Sequence, residues 1–192
     1  MTRLAEDLAV MRSYRAPSFG KVSVIDGGGA SREATCEAAA LRFARHNLAE
    51  AAARDQRIAA ARDRLEDRLR ELAAAVQPRA EYAVVHGELG LDHVLIDPGG
   101  RPVLIDIEDL LYFDVEWEHV FLRIRLGTDY PRLAVDGLDE NRLALYLLTE
   151  RLSLTAGPLR LLDGDFPRRA FMQAVAEHNL TAALALVVQK FG

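Results

Sequence analysis

From His86 to Glu108 the chain reads HGELGLDHVLIDPGGRPVLIDIE. Two β-branched runs, His93 to Ile96 and Val103 to Ile105, flank Asp97-Pro98-Gly99-Gly100, a strong hairpin signal. Before them lies an irregular loop rich in His, Asp and Glu; after them the second strand ends on Asp106. Folding the hairpin returns Asp106 beside the loop, because paired strands lie only about 5 Å apart. Glu88, Asp92, His93, Asp106 and Glu108 can therefore converge despite their separation in sequence. Converging carboxylates suit two tasks, holding a divalent cation and accepting a proton from a hydroxyl nucleophile.

Outward from this stretch the chain is expected to be mostly helical. Residues 1–12 form an amphipathic helix through Leu4, Leu8 and Met11, broken at Pro17 and Gly20. Lys21 to Asp26 alternates apolar and polar residues and reads as a short strand, with Gly27-Gly28-Gly29 as a turn. Ser31 is a candidate cap for a helix running to about Ala53. A second helix is expected from Gln56 to Val76, with Ile58, Leu65, Leu69, Leu72 and Val76 on its core face and Glu66 paired to Arg70. Glu81 to His86 reads as a strand. Beyond the hairpin, helices are expected at about 115–126, at 139–153 behind Asp139, and at 166–190. The expected arrangement is a single α+β domain: a helical part at 1–80, the loop and hairpin at 81–109, and a helical part at 110–192.

The chain has 192 residues, a net charge of -5 and one cysteine, Cys36, read as a helix-packing residue. The charge is concentrated: residues 81–119 hold ten acidic side chains against Arg101 alone, a segment of -9 between near-neutral flanks. Such a field repels nucleic acid and attracts cations. The longest strongly apolar run, Leu180 to Val188, is too short for a membrane span, and the start shows no signal peptide. A cytoplasmic protein with neither nucleic-acid nor membrane partners is expected. Glu116, Glu118 and His119 around Trp117 read as a solvated helix face or as helix-capping groups.

The motif His86-Gly87-Glu88, four residues, His93-Val94-Leu95-Ile96, then Ile105-Asp106-Ile107-Glu108, resembles the aminoglycoside phosphotransferase family, relatives of choline kinases and more distantly of protein kinases. Phe113-Asp114-Val115-Glu116-Trp117-Glu118 is similar to a downstream segment of that family. The resemblance covers the C-terminal lobe of the kinase-like fold. It implies transfer of the ATP γ-phosphoryl group, with Mg2+, to a hydroxyl of a small molecule such as an aminoglycoside. By resemblance Glu88 stands at the catalytic base, where the family has aspartate, and Asp106 at the main metal ligand. His93 stands where an asparagine binds metal, His86 and Asp114 brace the loop, and Glu108 is a further candidate. Magnesium prefers oxygen, so the histidine at 93 leaves three possibilities: Asp92 supplies the oxygen, one metal binds alone, or the metal role is lost.

The resemblance also implies an N-terminal lobe with a phosphate-covering loop and a strand lysine. The only lysine upstream of the motif is Lys21. The chain alone is thus expected to have little activity, its nucleotide cleft completed by a separate lobe or a second copy. Two other readings remain, a non-catalytic binding or regulatory module, and a zinc-dependent hydrolase using His86, Glu88, His93 and Asp106.

Overall fold

The computed structural model describes residues 1–188. It is α+β and mainly helical, as the sequence leads one to expect. In chain order the elements are α1 (Thr2–Ser13), β1 (Arg15–Ala16), β2 (Gly20–Lys21), α2 (Val22–Asp26), α3 (Cys36–Ala52), α4 (Gln56–Ala75) and β3 (Tyr82–Val85). There follow β4 (Val94–Ile96), β5 (Pro102–Leu104), β6 (Leu111–Phe113), α5 (Val115–Leu126), α6 (Glu140–Leu162) and α7 (Arg169–Val188). Contacts divide the chain into two compact units. One comprises Met1–Cys36 and Gln77–Leu143; the other comprises Glu37–Val76 and the chain from Ala144 onward.

The first unit holds both sheets. Its four-stranded antiparallel sheet has the order β1-β3-β6-β2, and the hairpin β4-β5 forms a separate pair. Leu4 and Leu8 of α1 join Leu89, Leu122, Leu126 and Leu133 in one buried cluster, against which Val94 and Leu104 of the hairpin pack. Val94 and Leu104 are direct cross-strand partners, so one hairpin face is fixed to this core. At the other sheet Phe19 packs against Tyr82 and Phe113 at 5.5 and 6.0 Å between ring centroids.

The second unit is helical. Ile58, Ala61, Leu65, Leu69 and Leu72 are the buried stripe of α4, at the three-and-four spacing that aligns one helix face. Asp55 caps that helix, accepting from the amides of Arg57 and Ile58. Glu66 pairs with Arg70 at 3.0 Å, and α4 packs on α7.

Several expectations shift. Only Gly20 and Lys21 are strand, paired to Tyr112 and Leu111; Val22–Asp26 coils into a helical turn instead of extending. Ser31 does not cap α3, which begins at Cys36. Its hydroxyl instead accepts from the Glu33 amide, a local bond that competes with helix initiation. Helix α6 runs past 153 to Leu162, because burial of Leu152 and Ala156 outweighs the one amide lost at Pro158. Strands β1 and β6 were not anticipated. The last helix starts at Arg169, and its expected end at 190 lies outside the described residues.

Candidate active site

Pairing of β4 with β5 continues one step beyond the strands, where the Ile105 amide donates to the His93 carbonyl at 3.0 Å. That bond sets Asp106 beside His93, and the Asp106 carboxylate lies 3.6 Å from His93 Nε2. His93 Nδ1 donates to the Glu88 carbonyl at 3.0 Å. A carbonyl only accepts, so Nδ1 carries a proton and Nε2 is the ring nitrogen that faces Asp106. Among the described residues Asp106 is the one non-glycine with positive φ, at 62°. Aspartate tolerates the left-handed region better than most residues, yet the conformation costs energy and persists where surrounding structure imposes it.

Glu88 and Glu108 are exposed, and neither carboxylate has a hydrogen bond or ion pair among the described residues. Asp92 does not join the group. Both its oxygens are taken by Arg125 Nη2 at 2.5 Å, which holds its carboxyl below the usual range. A Cβ on Gly90 would fall within 2.4 Å of Asp92 and 2.8 Å of Arg125, so the glycine is what lets this clamp close against the backbone.

The donor set answers part of the metal question. Among the described residues no three His, Cys, Asp or Glu side chains are grouped to hold an ion. One carboxylate with an imidazole nitrogen nearby fits a single ion whose other ligands are phosphate oxygens and water, which is how magnesium-type ions usually bind. A second ion position on Asp92 does not fit, since Arg125 occupies that carboxylate. The zinc-hydrolase expectation would also need His86 as a ligand. That ring is buried, its Nε2 donates to the Ile105 carbonyl at 2.9 Å, and among the described residues its Nδ1 has no partner.

Beneath the loop, Glu116, Glu118 and His119, expected on a solvated face, are buried together with Asp114, each 1% exposed or less. Glu118 receives the His86 amide at 2.6 Å, and the Gly87 amide as well. Gly87 has φ of 89°, so the loop turns at a residue suited to that conformation. Burial pushes the Glu118 carboxyl above its usual range, against the pull of those amides and of Arg12 4.0 Å away. Asp114 is bound by Arg79 and Arg142, and Arg79 also grips Glu116 at 2.6 and 2.7 Å. Helix α5 is thus buried almost all round, and its charges are admitted because arginines from other elements meet them.

His119 accepts from Arg12 at 2.9 Å and its other nitrogen meets the Tyr130 hydroxyl at 3.0 Å. Burial, with Arg12 adding to it, lowers its pKa to about 4. The folded state therefore keeps it neutral while the unfolded chain protonates it near its ordinary value of 6.5. Stability from this group is full above that value and is lost as pH falls toward 4; Glu118, shifted upward, acts in the opposite sense. Between pH 7 and pH 4 the wild type is expected to lose roughly 3 kcal/mol more than His119→Gln. Urea unfolding at the two pH values checks this, and equal losses would contradict it.

The acidic segment thus resolves into two classes. Asp92, Asp97, Asp109, Asp114, Glu116 and Glu118 each face an arginine or lysine. Glu81, Glu88, Asp106 and Glu108 have no such partner among the described residues. Of the residues expected to converge, the structure brings Asp106 and His93 together at the hairpin base, and no third His, Cys, Asp or Glu side chain joins them among the described residues. Residues 1–157 match the model of the phosphotransferase enzyme family, and the chain belongs to that family, as its resemblance to the aminoglycoside phosphotransferases implied. Neither the curated proteins nor the solved structures yield a match. Among the described residues no helix is long and apolar enough to cross a membrane.

Proposed function

We propose that this chain supplies the acceptor and ion side of a kinase-like site, moving the ATP γ-phosphoryl group to a hydroxyl of a small molecule. The observation that carries the reading is the single imidazole of His93, which ties the Glu88 segment to the Asp106 carboxylate across the hairpin base. Phosphoryl transfer asks little covalent chemistry of a protein; positioning and charge neutralisation do most of the work. Glu88, unpaired and exposed, accepts the proton of the attacking hydroxyl. Asp106 would hold Mg2+ or a similar ion, which supplies charge neutralisation at the phosphates when bound. His86, Glu118 and the buried arginines keep the loop in place.

Lys21, the lysine nearest the motif, is paired with Asp109. Lys21 is the one lysine among the described residues, so on this reading a covering lobe or a second copy supplies the contacts to the nucleotide phosphates. The expected result with the full chain and millimolar ATP is acceptor-dependent transfer of label from γ-labelled ATP to aminoglycosides or amino alcohols. Its rate should fall far below the roughly 1–100 s⁻¹ of complete kinases. Turnover within that range would contradict the need for a covering element.

One observation favours a non-catalytic binding module instead, the Arg125 clamp on Asp92. Under that reading no acceptor is labelled although nucleotide binds, and Glu88→Asp with His93→Asn gains nothing when a covering lobe is added.

A further inference from the structure

We infer that His93 makes the nucleotide-ion position of this chain selective for a divalent ion that accepts nitrogen, Mn2+ above Mg2+, with His93 Nε2 and the Asp106 carboxylate as its two protein ligands. The inference rests on the phosphotransfer reading and goes further, to the identity of the ion.

Two independent features carry it. The first is the ring's state. With Nδ1–H committed to the Glu88 carbonyl, Nε2 is the ring nitrogen left to bind an ion, and a backbone carbonyl behind a histidine is the usual device that orients a metal-binding ring. The ring is also held from its face, stacked on His86 at 5.5 Å and 17°. It is therefore presented to one place.

The second is distance. The nitrogen and the carboxylate oxygen are 3.6 Å apart. One ion can reach both atoms across that gap, so the pair can share it. Magnesium strongly prefers oxygen and gives up water reluctantly, which makes an imidazole a poor ligand for it. Manganese takes the same carboxylate, phosphate and water ligands as magnesium and, as a first-row transition ion, accepts an imidazole nitrogen beside them.

The test uses the full chain with Mn2+ and a non-hydrolysable ATP analogue, followed by electron paramagnetic resonance. The expected result is analogue-dependent Mn2+ binding at least about tenfold tighter than Mg2+ in competition, with nitrogen-14 modulation of the Mn2+ echo. In His93→Asn and His93→Gln the nitrogen modulation disappears and the preference for Mn2+ collapses. Analogue-dependent Mn2+ binding without nitrogen coupling, or coupling that persists in both variants, overturns the inference and leaves the phosphotransfer reading standing. Absence of any analogue-dependent ion binding in the wild type overturns both.

Discussion

Changing Glu88 to glutamine is expected to lower γ-phosphoryl transfer by roughly 10²–10⁴-fold while leaving nucleotide affinity within about twofold. The amide keeps the size and polarity of the side chain and removes only its ability to take a proton. Glu88 is exposed and its carboxylate has no partner among the described residues, so the substitution disturbs no contact of the fold. Its backbone carbonyl, which orients His93, is untouched. Asp106→Asn should behave differently, weakening ion-dependent nucleotide binding by about 10²-fold, because the carboxylate is the proposed ligand. Transfer assays paired with analogue titrations separate the two roles. Equal transfer by wild type and Glu88→Gln would remove Glu88 from the chemistry.

The largest expected effect on stability lies away from the exposed site, at Arg142. Its guanidinium is 1% exposed and lies between the Asp114 carboxylate and the Gln77 carbonyl. Arg142→Met fills similar volume but leaves Asp114 with Arg79 as its remaining arginine and deprives the Gln77 carbonyl of this donor. Breaking a buried pair from one side typically costs about 3–5 kcal/mol, since the surviving charge remains desolvated. Adding Asp114→Asn should recover part of that loss, because the stranded charge is then gone. By contrast Arg70→Ala, which cuts exposed pairs to Glu66 and Asp67, should cost under about 1 kcal/mol. Urea unfolding of the four proteins gives the comparison; equal costs at Arg142 and Arg70 would contradict a buried charge lattice under α5.

These expectations also mark where the sequence was legible. The hairpin was readable because Asp97-Pro98-Gly99-Gly100 is local turn chemistry, and the bonds around Asp97 and Arg101 close it. Helix α4 was readable from its leucine spacing and α5 from its bounds, each long enough for a period to show. Strands β1 and β6, of two and three residues, are too short for a period, and their pairing depends on partners far along the chain. The alternation in Val22–Asp26 reads equally well as one turn of helix, and Gly20-Lys21 had already used the available edge of β6.

The site divides the same way. That Asp106 returns to His93 follows from hairpin geometry, and the structure brings the pair together. Where Asp92 turns was not readable, because Arg125 lies 33 residues away. The burial of Glu116, Glu118 and His119 was missed for a similar reason. Their partners Arg79 and Arg12 sit 37 and 107 residues off, and charged residues around a tryptophan look solvated until those arginines are placed. The one signal available was the apolar setting of that turn, Val115 before it and Val120-Phe121-Leu122 after it.

Asp106, beside His93 at the hairpin base, is the residue around which the proposed phosphoryl-handling site is organised. Titration of the full chain with a fluorescent ATP analogue, with and without divalent ion, tests it most directly when repeated on Asp106→Asn. Binding is expected to require the ion in the wild type and to fall by about 10²-fold in the variant. Analogue binding that is indifferent to the ion, or equal in the two proteins, would contradict it.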